Sequence, residues 1–153
     1  NPNLKCHVSW LWSSFIPHFG GDTRTIVSIP DEGNTIHLND LPLESIPAHY
    51  LHSSGNFHLY DKKARVYFSG DVGAALLPAT ASGIFVTDFD KHITYAEGFH
   101  RRWMGSNEAK NDWCARVSKL SIDMLCPQHG AIYQGRDVER FINWFAELKV
   151  GIT

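Results

Sequence analysis

Three short apolar runs in this chain each end, next to a glycine or another small residue, in a histidine or an aspartate. Ile46 to Leu51 leads into His52, Ala64 to Phe68 leads through Ser69 and Gly70 into Asp71, and Ile122 to Cys126 leads into Gln128-His129-Gly130. Sheets of α/β domains bind ligands at the carboxyl ends of their strands, and a glycine there lets the backbone turn sharply. The pattern therefore predicts an α/β domain organised around the stretch Leu51 to Asp71. Within it, Ala64, Val66 and Phe68 alternate with Arg65, Tyr67 and Ser69, the period-two pattern of a strand with one buried face.

The rest of the chain fits one domain over residues 1–153. At 153 residues, 43% hydrophobic and 20% charged, it has enough apolar material for one core. A formal charge of −2 gives no general pull toward nucleic acid or anionic lipid, and no apolar run has the length of a membrane span. Cys6, Cys114 and Cys126 leave an odd thiol under any pairing, so a reducing, cytoplasmic setting is expected. The chain opens Asn-Pro-Asn without methionine, as the remainder of something longer would.

Leu4 to Trp10 reads as a short strand, and Leu11 to Gly21 as an aromatic-rich loop. Thr23 to Ile29 and Ile36 to Leu38 read as a hairpin around Pro30-Asp31-Glu32-Gly33-Asn34. Val72 to Gly83 reads as a loop packed near the site. Phe89, Ile93, Ala96, Phe99 and Trp103 recur at helical spacing, so a helix is expected from about Asp90 to Met104. A second helix starts at Ser106 or Asn107, and a third is capped by Asp137, with Val138, Phe141, Ile142, Phe145 and Leu148 on its face.

His52, Asp71 and His129 are the candidate metal ligands. Imidazole and carboxylate suit zinc or iron, and a carboxylate can bridge two cations about 3.5–4 Å apart. One aspartate between two histidines suggests one histidine on each metal. The other histidines read mostly as bland. His49 would point away from His52 on a strand, and His58 follows a turn, with a supporting contact to a ligand as the lesser reading. His92 and His100, eight apart, share a helix face that could approach the site, although Arg101 and Arg102 favour a solvated or paired polar face for His100. His7, His18 and His37 have no partner at ligand spacing. Cys126 reads as a small buried hydrophobe, while Phe57 and Trp103 could wall an oxygen-sized pocket.

Leu-His-Ser-Ser-Gly-Asn-Phe-x-x-Tyr-Asp at 51–61, Phe-Ser-Gly-Asp-Val-Gly-Ala at 68–74 and Pro-Gln-His-Gly at 127–130 resemble the second half of a metallo-β-lactamase-fold domain of the di-iron branch. That branch holds the flavodiiron proteins and the stand-alone oxygen-binding di-iron proteins. The likeness runs from about Thr23 through Gly98-Phe99-His100-Arg101-Arg102-Trp103-Met104 and the final Phe-Ile-Asn-Trp. It implies an αββα sandwich, here its carboxyl-terminal half, with a mixed or antiparallel sheet under covering helices. It implies two iron ions, with His52 on one, His129 on the other and Asp71 bridging, and O2 as ligand, whether sensed or reduced. An oxidoreductase acting on O2 or NO belongs to the same expectation. The branch's first ligand motif, His-x-Glu-x-Asp-His, occurs nowhere in the 153 residues. The amino-terminal half is therefore an expected partner, as a segment or another chain, and a homo-oligomer stays open. Two rival classes remain: a binuclear zinc hydrolase of the same fold and a metal-free interaction module.

Overall fold

The computed structural model describes residues 3–152. In chain order the elements are β1 (Cys6–Ser9), α1 (Trp10–Ser13), two single 3₁₀ turns (Ile16–Phe19 and Thr23–Thr25), β2 (Ile26–Ile29), β3 (Thr35–Leu38), β4 (Leu41–Pro47), β5 (Phe57–Asp61), β6 (Val66–Phe68), α2 (Phe89–Trp103), α3 (Asn107–Val117), β7 (Met124–Cys126), β8 (Tyr133–Gln134) and α4 (Arg136–Glu147). β3 to β8 form one six-stranded sheet in sequence order, and β1 and β2 form a separate parallel pair. Every neighbouring pair in the large sheet is antiparallel except β6 and β7. A parallel pair needs a long crossover, which α2 and α3 supply.

The hairpin expected between Thr23 to Ile29 and Ile36 to Leu38 does not form. Thr23–Thr25 is a 3₁₀ turn and β2 pairs with β1, whereas β3 pairs with β4, with Leu38 opposite Leu41. The two-residue turn that closes this hairpin is Asn39-Asp40, with Asn39 at φ 54°. Asparagine tolerates that left-handed backbone better than most residues. The cluster at 30–34 instead carries the chain from one sheet to the other.

β5 and β6 are joined through 62–65, where the Asp61 carboxylate accepts the Ala64 N–H at 2.8 Å. Ala64 thus belongs to a turn, and the inward phase of the strand is the reverse of what Ala64, Val66 and Phe68 suggest. Tyr67 is fully buried and Phe68 is exposed. Tyr67 points inward because its hydroxyl has partners there: the Trp113 Nε1–H donates to it, and the His58 ring lies 3.1 Å away.

α2, α3 and α4 cover this inner face. Asp88 caps α2 by accepting the Lys91 N–H, and Ser106 caps α3 by accepting the Ala109 N–H. α4 starts at Gly135 without a side-chain cap; Asp137 lies in its first turn, where a negative charge favours the helix dipole. Val138, Phe141, Ile142 and Phe145 of α4 are buried, Phe141 against Tyr133 and His100 and Phe145 against Trp113. Their burial contributes roughly 6–12 kcal/mol at about 1.5–3 kcal/mol each, an upper bound. Among the described residues no helix is long and apolar enough to cross a membrane.

Candidate metal centre

The register of the large sheet places two of the three candidate residues, Asp71 and His129, at one end of its strands. Ser45 of β4 stands opposite Leu59 of β5, Leu59 opposite Phe68 of β6, and Phe68 opposite Cys126 of β7. β4, β6 and β7 run in the same direction, so the loops after them leave at the same end. Asp71 lies three residues beyond Phe68, and His129 three beyond Cys126. The parallel ladder continues past both strand ends: the Ser69 N–H donates to Cys126 O at 3.0 Å, and the Gln128 N–H to Gly70 O at 2.6 Å.

His52 arrives differently. β4 ends at Pro47, so His52 sits in a loop and not at a strand end. Its own φ is 85° and that of Tyr50 is 63°, left-handed values that cost side chains of this size roughly 1–3 kcal/mol and recur at functional sites. The loop is over-determined. Leu51 is fully buried, the Leu51 N–H donates to Ala48 O, the Tyr50 N–H donates to Ser53 O, and the Asn56 amide donates to Leu51 O at 2.7 Å. The His52 ring stacks on Trp103 with centroids 4.8 Å apart.

These supports bring the two histidines to opposite oxygens of one carboxylate. His52 Nε2 lies 3.9 Å from Asp71 Oδ2, and His129 Nε2 lies 3.6 Å from Asp71 Oδ1. Both distances are too long for hydrogen bonds. Two donors that share one cation, each about 2.1 Å from it, stand at most about 4.2 Å apart. The donor set thus fits a metal on each flank of Asp71. Each flank offers one nitrogen and one oxygen, and among the described residues no three His, Cys, Asp or Glu side chains are arranged to hold one ion. The Asp71 side chain is 22% exposed, that of His52 34% and that of His129 63%.

A buried polar layer lies beneath. His100 is not on a solvated face: it is completely buried, its Nδ1 bonds Ala96 O at 2.8 Å, and its Nε2 accepts the Gly73 N–H at 2.9 Å. Nδ1 therefore carries the proton. Burial pulls His100 down to about 4 against smaller upward pulls from Ala96 O and the Asp71 charge. The Tyr133 hydroxyl donates to Gly73 O at 3.1 Å, so both polar groups of this glycine are held by buried side chains. Gly73 itself is at φ 101°, and a Cβ there would meet Leu125, Tyr133 and Pro127 at 3.1–3.3 Å. His58, pulled down to about 3 by burial, forms a second group with Tyr67 and Trp113.

The remaining expectations divide. His49 is held away from the site by Asp31 O at 3.0 Å, and Phe57 meets His49 edge-on, so Phe57 does not wall the site. Trp103 does stand beside it. Cys126 is partly buried in β7, and all three cysteines are free thiols. The sequence singles out none of Tyr133, Tyr67 and Trp113 as supports; the helix face shared by His92 and His100 is expected to be able to approach the site, and His100 does lie beneath it, buried against Gly73. One available signal was that His100 continues the Phe89, Ile93, Ala96 spacing of α2 by four residues.

Residues 1–130 match the family model described as ODP family beta lactamase. The chain belongs to this family. The solved chemotaxis sensor ODP, in a peroxy diiron form, is 43% identical with a TM-score of 0.87, covering 96% of this chain and 61% of that one. The apo form of that sensor from T. denticola is 44% identical with a TM-score of 0.89, covering 96% of this chain and 60% of that one. A flavo di-iron protein from Thermotoga maritima shares the fold, with a TM-score of 0.78 at 19% identity, over 93% of this chain and 35% of that one. An uncharacterized protein of Methanocaldococcus jannaschii is 26% identical over 135 residues, 76% of this chain and 30% of that one. The fold is thus metallo-β-lactamase-like, and the chain spans about 60% of the ODP sensor's length and less of the others'.

Proposed function

We propose that this chain is the carboxyl-terminal part of a di-iron protein that binds O2 as a sensing ligand. Asp71, His52 and His129 are the residues of this chain that would hold the irons, with His52 and His129 on opposite sides of the carboxylate. The observation that carries the reading is the pair of imidazole nitrogens set on opposite oxygens of the Asp71 carboxylate. The likeness to a chemotaxis sensor with a diiron species supports sensing over reduction. Bound ferrous iron would supply the O2 affinity and the electrons that O2 takes up.

The chain's own residues do the rest. Asp71 would offset part of the charge of bound cations, the two imidazoles would donate nitrogen, and Trp103 stacks on His52 and holds its ring. The other ligands come from the amino-terminal half of the fold, as a preceding segment or a second chain. A cytoplasmic setting suits three free thiols and ferrous iron.

The test is anaerobic loading of the intact protein with ferrous iron, followed by elemental analysis and exposure to air. Two irons per chain and a visible absorption band that disappears on reduction are expected. Asp71→Ala should hold no binuclear centre; two metals retained in that variant would sink the bridge. Zinc in the native protein, ester hydrolysis by the zinc form and an iron form silent to air would establish the hydrolase instead.

A further inference from the structure

One helix touches one of the three site residues and the loop that carries another. From α2, His100 Nε2 accepts the N–H of Gly73, two residues beyond Asp71, and Trp103, one turn on, stacks on His52. Phe99 backs the stack, with ring centroids 5.9 Å from Trp103 and 6.4 Å from His52. The end of the helix is also tied to the His52 loop by backbone: the Gly105 N–H donates to Tyr50 O at 2.9 Å, and Leu51 bridges Met104. The helix has little freedom to shift, because Phe89, Ile93 and Ala96 are buried in the core and the Leu76 N–H donates to Tyr95 O.

We propose that α2 is the positioning element of this site, with His100 and Trp103 fixing the loop that carries Asp71 and the His52 imidazole relative to each other. The purpose of the arrangement rests on the metal-binding reading above; the contacts do not. The two flanks of Asp71 are consequently unequal. His52 and Asp71 are referred to the same rigid helix, with three residues and about 4.5 Å of rise between the two contact points. His129 is carried by the loop after β7, whose backbone is tied beside Asp71 by the Gln128 N–H on Gly70 O, but its side chain is 63% exposed against 34% for His52. The His52 flank is preorganised by α2 and takes the first metal; the His129 flank takes the second.

Cobalt(II) titration of the intact, metal-free protein, followed by visible absorption, reads both steps. His100→Leu removes the acceptor for Gly73, and Trp103→Leu removes the stack. Trp103→Leu should weaken the first step by about 10–100-fold, the usual cost of losing a group that supports a ligand, and move the second by less than about threefold; His100→Leu, which loosens the Asp71 loop shared by both flanks, should weaken the first step by a similar factor and the second with it. His100→Gln, which restores an acceptor, should recover the first step to within about threefold. Without metal, the Gly73 amide should exchange at least about tenfold faster in His100→Leu, and the His52 ring resonances should shift in Trp103→Leu. Folded Leu variants with unchanged first-step affinity, or an unchanged Gly73 exchange rate in His100→Leu, would overturn the proposal. A wild-type protein that takes up no cobalt would refute the metal-binding reading. The two metal-free measurements would then still support or overturn the positioning pair by themselves.

Discussion

Acidification should unfold this domain through two histidines that cannot take a proton where they sit. His58 and His100 are 1% and 0% exposed, and burial holds their folded values at about 3 and about 4. In the unfolded chain both return to about 6.5. Between those limits the unfolded state binds more protons than the folded state, so stability rises with pH. Their contribution is fully present above about pH 6.5 and is lost as pH falls toward 4. At pH 5 the difference is about 1.5 units for each group, or about 2 kcal/mol, and about 4 kcal/mol for the pair. That is comparable with the whole stability of a small domain, roughly 5–15 kcal/mol. His92, also lowered by burial, adds in the same direction.

Urea unfolding of the metal-free protein, followed by circular dichroism at pH 7, 6 and 5, measures the effect without protonation of metal-bound ligands. His100→Gln isolates one group, because it keeps an acceptor for Gly73 but cannot titrate; its loss between pH 7 and 5 should fall to about 2 kcal/mol. A wild-type change below about 1 kcal/mol over that range would refute the reasoning. It would mean that the buried imidazoles find compensation on protonation, or that the unfolded chain shields them as well as the fold does.

Three further outcomes follow from single contacts. Gly130→Ala places a Cβ 2.8 Å from the Ala75 backbone nitrogen at φ 95°, and should lower stability by about 1–3 kcal/mol in thermal unfolding, with His129 displaced. Lys110 is buried and its Nζ donates to Ala146 O and Leu148 O at the end of α4; Lys110→Met leaves both carbonyls unpaired, so about 2–4 kcal/mol is lost and hydrogen exchange in the last turn of α4 accelerates. His129→Ala should leave at most one iron per chain by elemental analysis and suppress the air-dependent band.

The strand ends were legible because they depend on short-range patterns. Asp71 and His129 follow apolar runs that do become β6 and β7, and their equal offset from a parallel register brings them together. His52 was picked by the same rule, but it does not follow a strand end: its direction comes from the left-handed backbone at Tyr50 and His52, which no apolar pattern encodes. The hairpin was misplaced because the denser turn cluster at 30–34 outweighed Asn39-Asp40, although the two-residue turn is the one that fits strand twist.

The misread faces share one cause. The spacing of Phe89, Ile93, Ala96, Phe99 and Trp103 turned α2 too far toward Trp103, which is half exposed, and away from His92 and His100, which are buried. In β6 the same bias favoured Phe68 over Tyr67. A hydrophobic pattern assigns polar groups to water, yet the free energy of burying one depends on its partners: an unpaired imidazole or hydroxyl costs several kcal/mol, and a bonded one little. The partners of His100 are Gly73 N–H and Ala96 O, and those of Tyr67 are Trp113 and His58, forty-six and nine residues away. Such pairings exist only after the chain has folded. His100, which holds the Asp71 loop, and Tyr67, in the layer beneath, are residues that the hydrophobic pattern sends to the surface. A histidine or tyrosine that continues an apolar stripe, as His100 continues Phe89, Ile93 and Ala96, is where a buried support should be sought first.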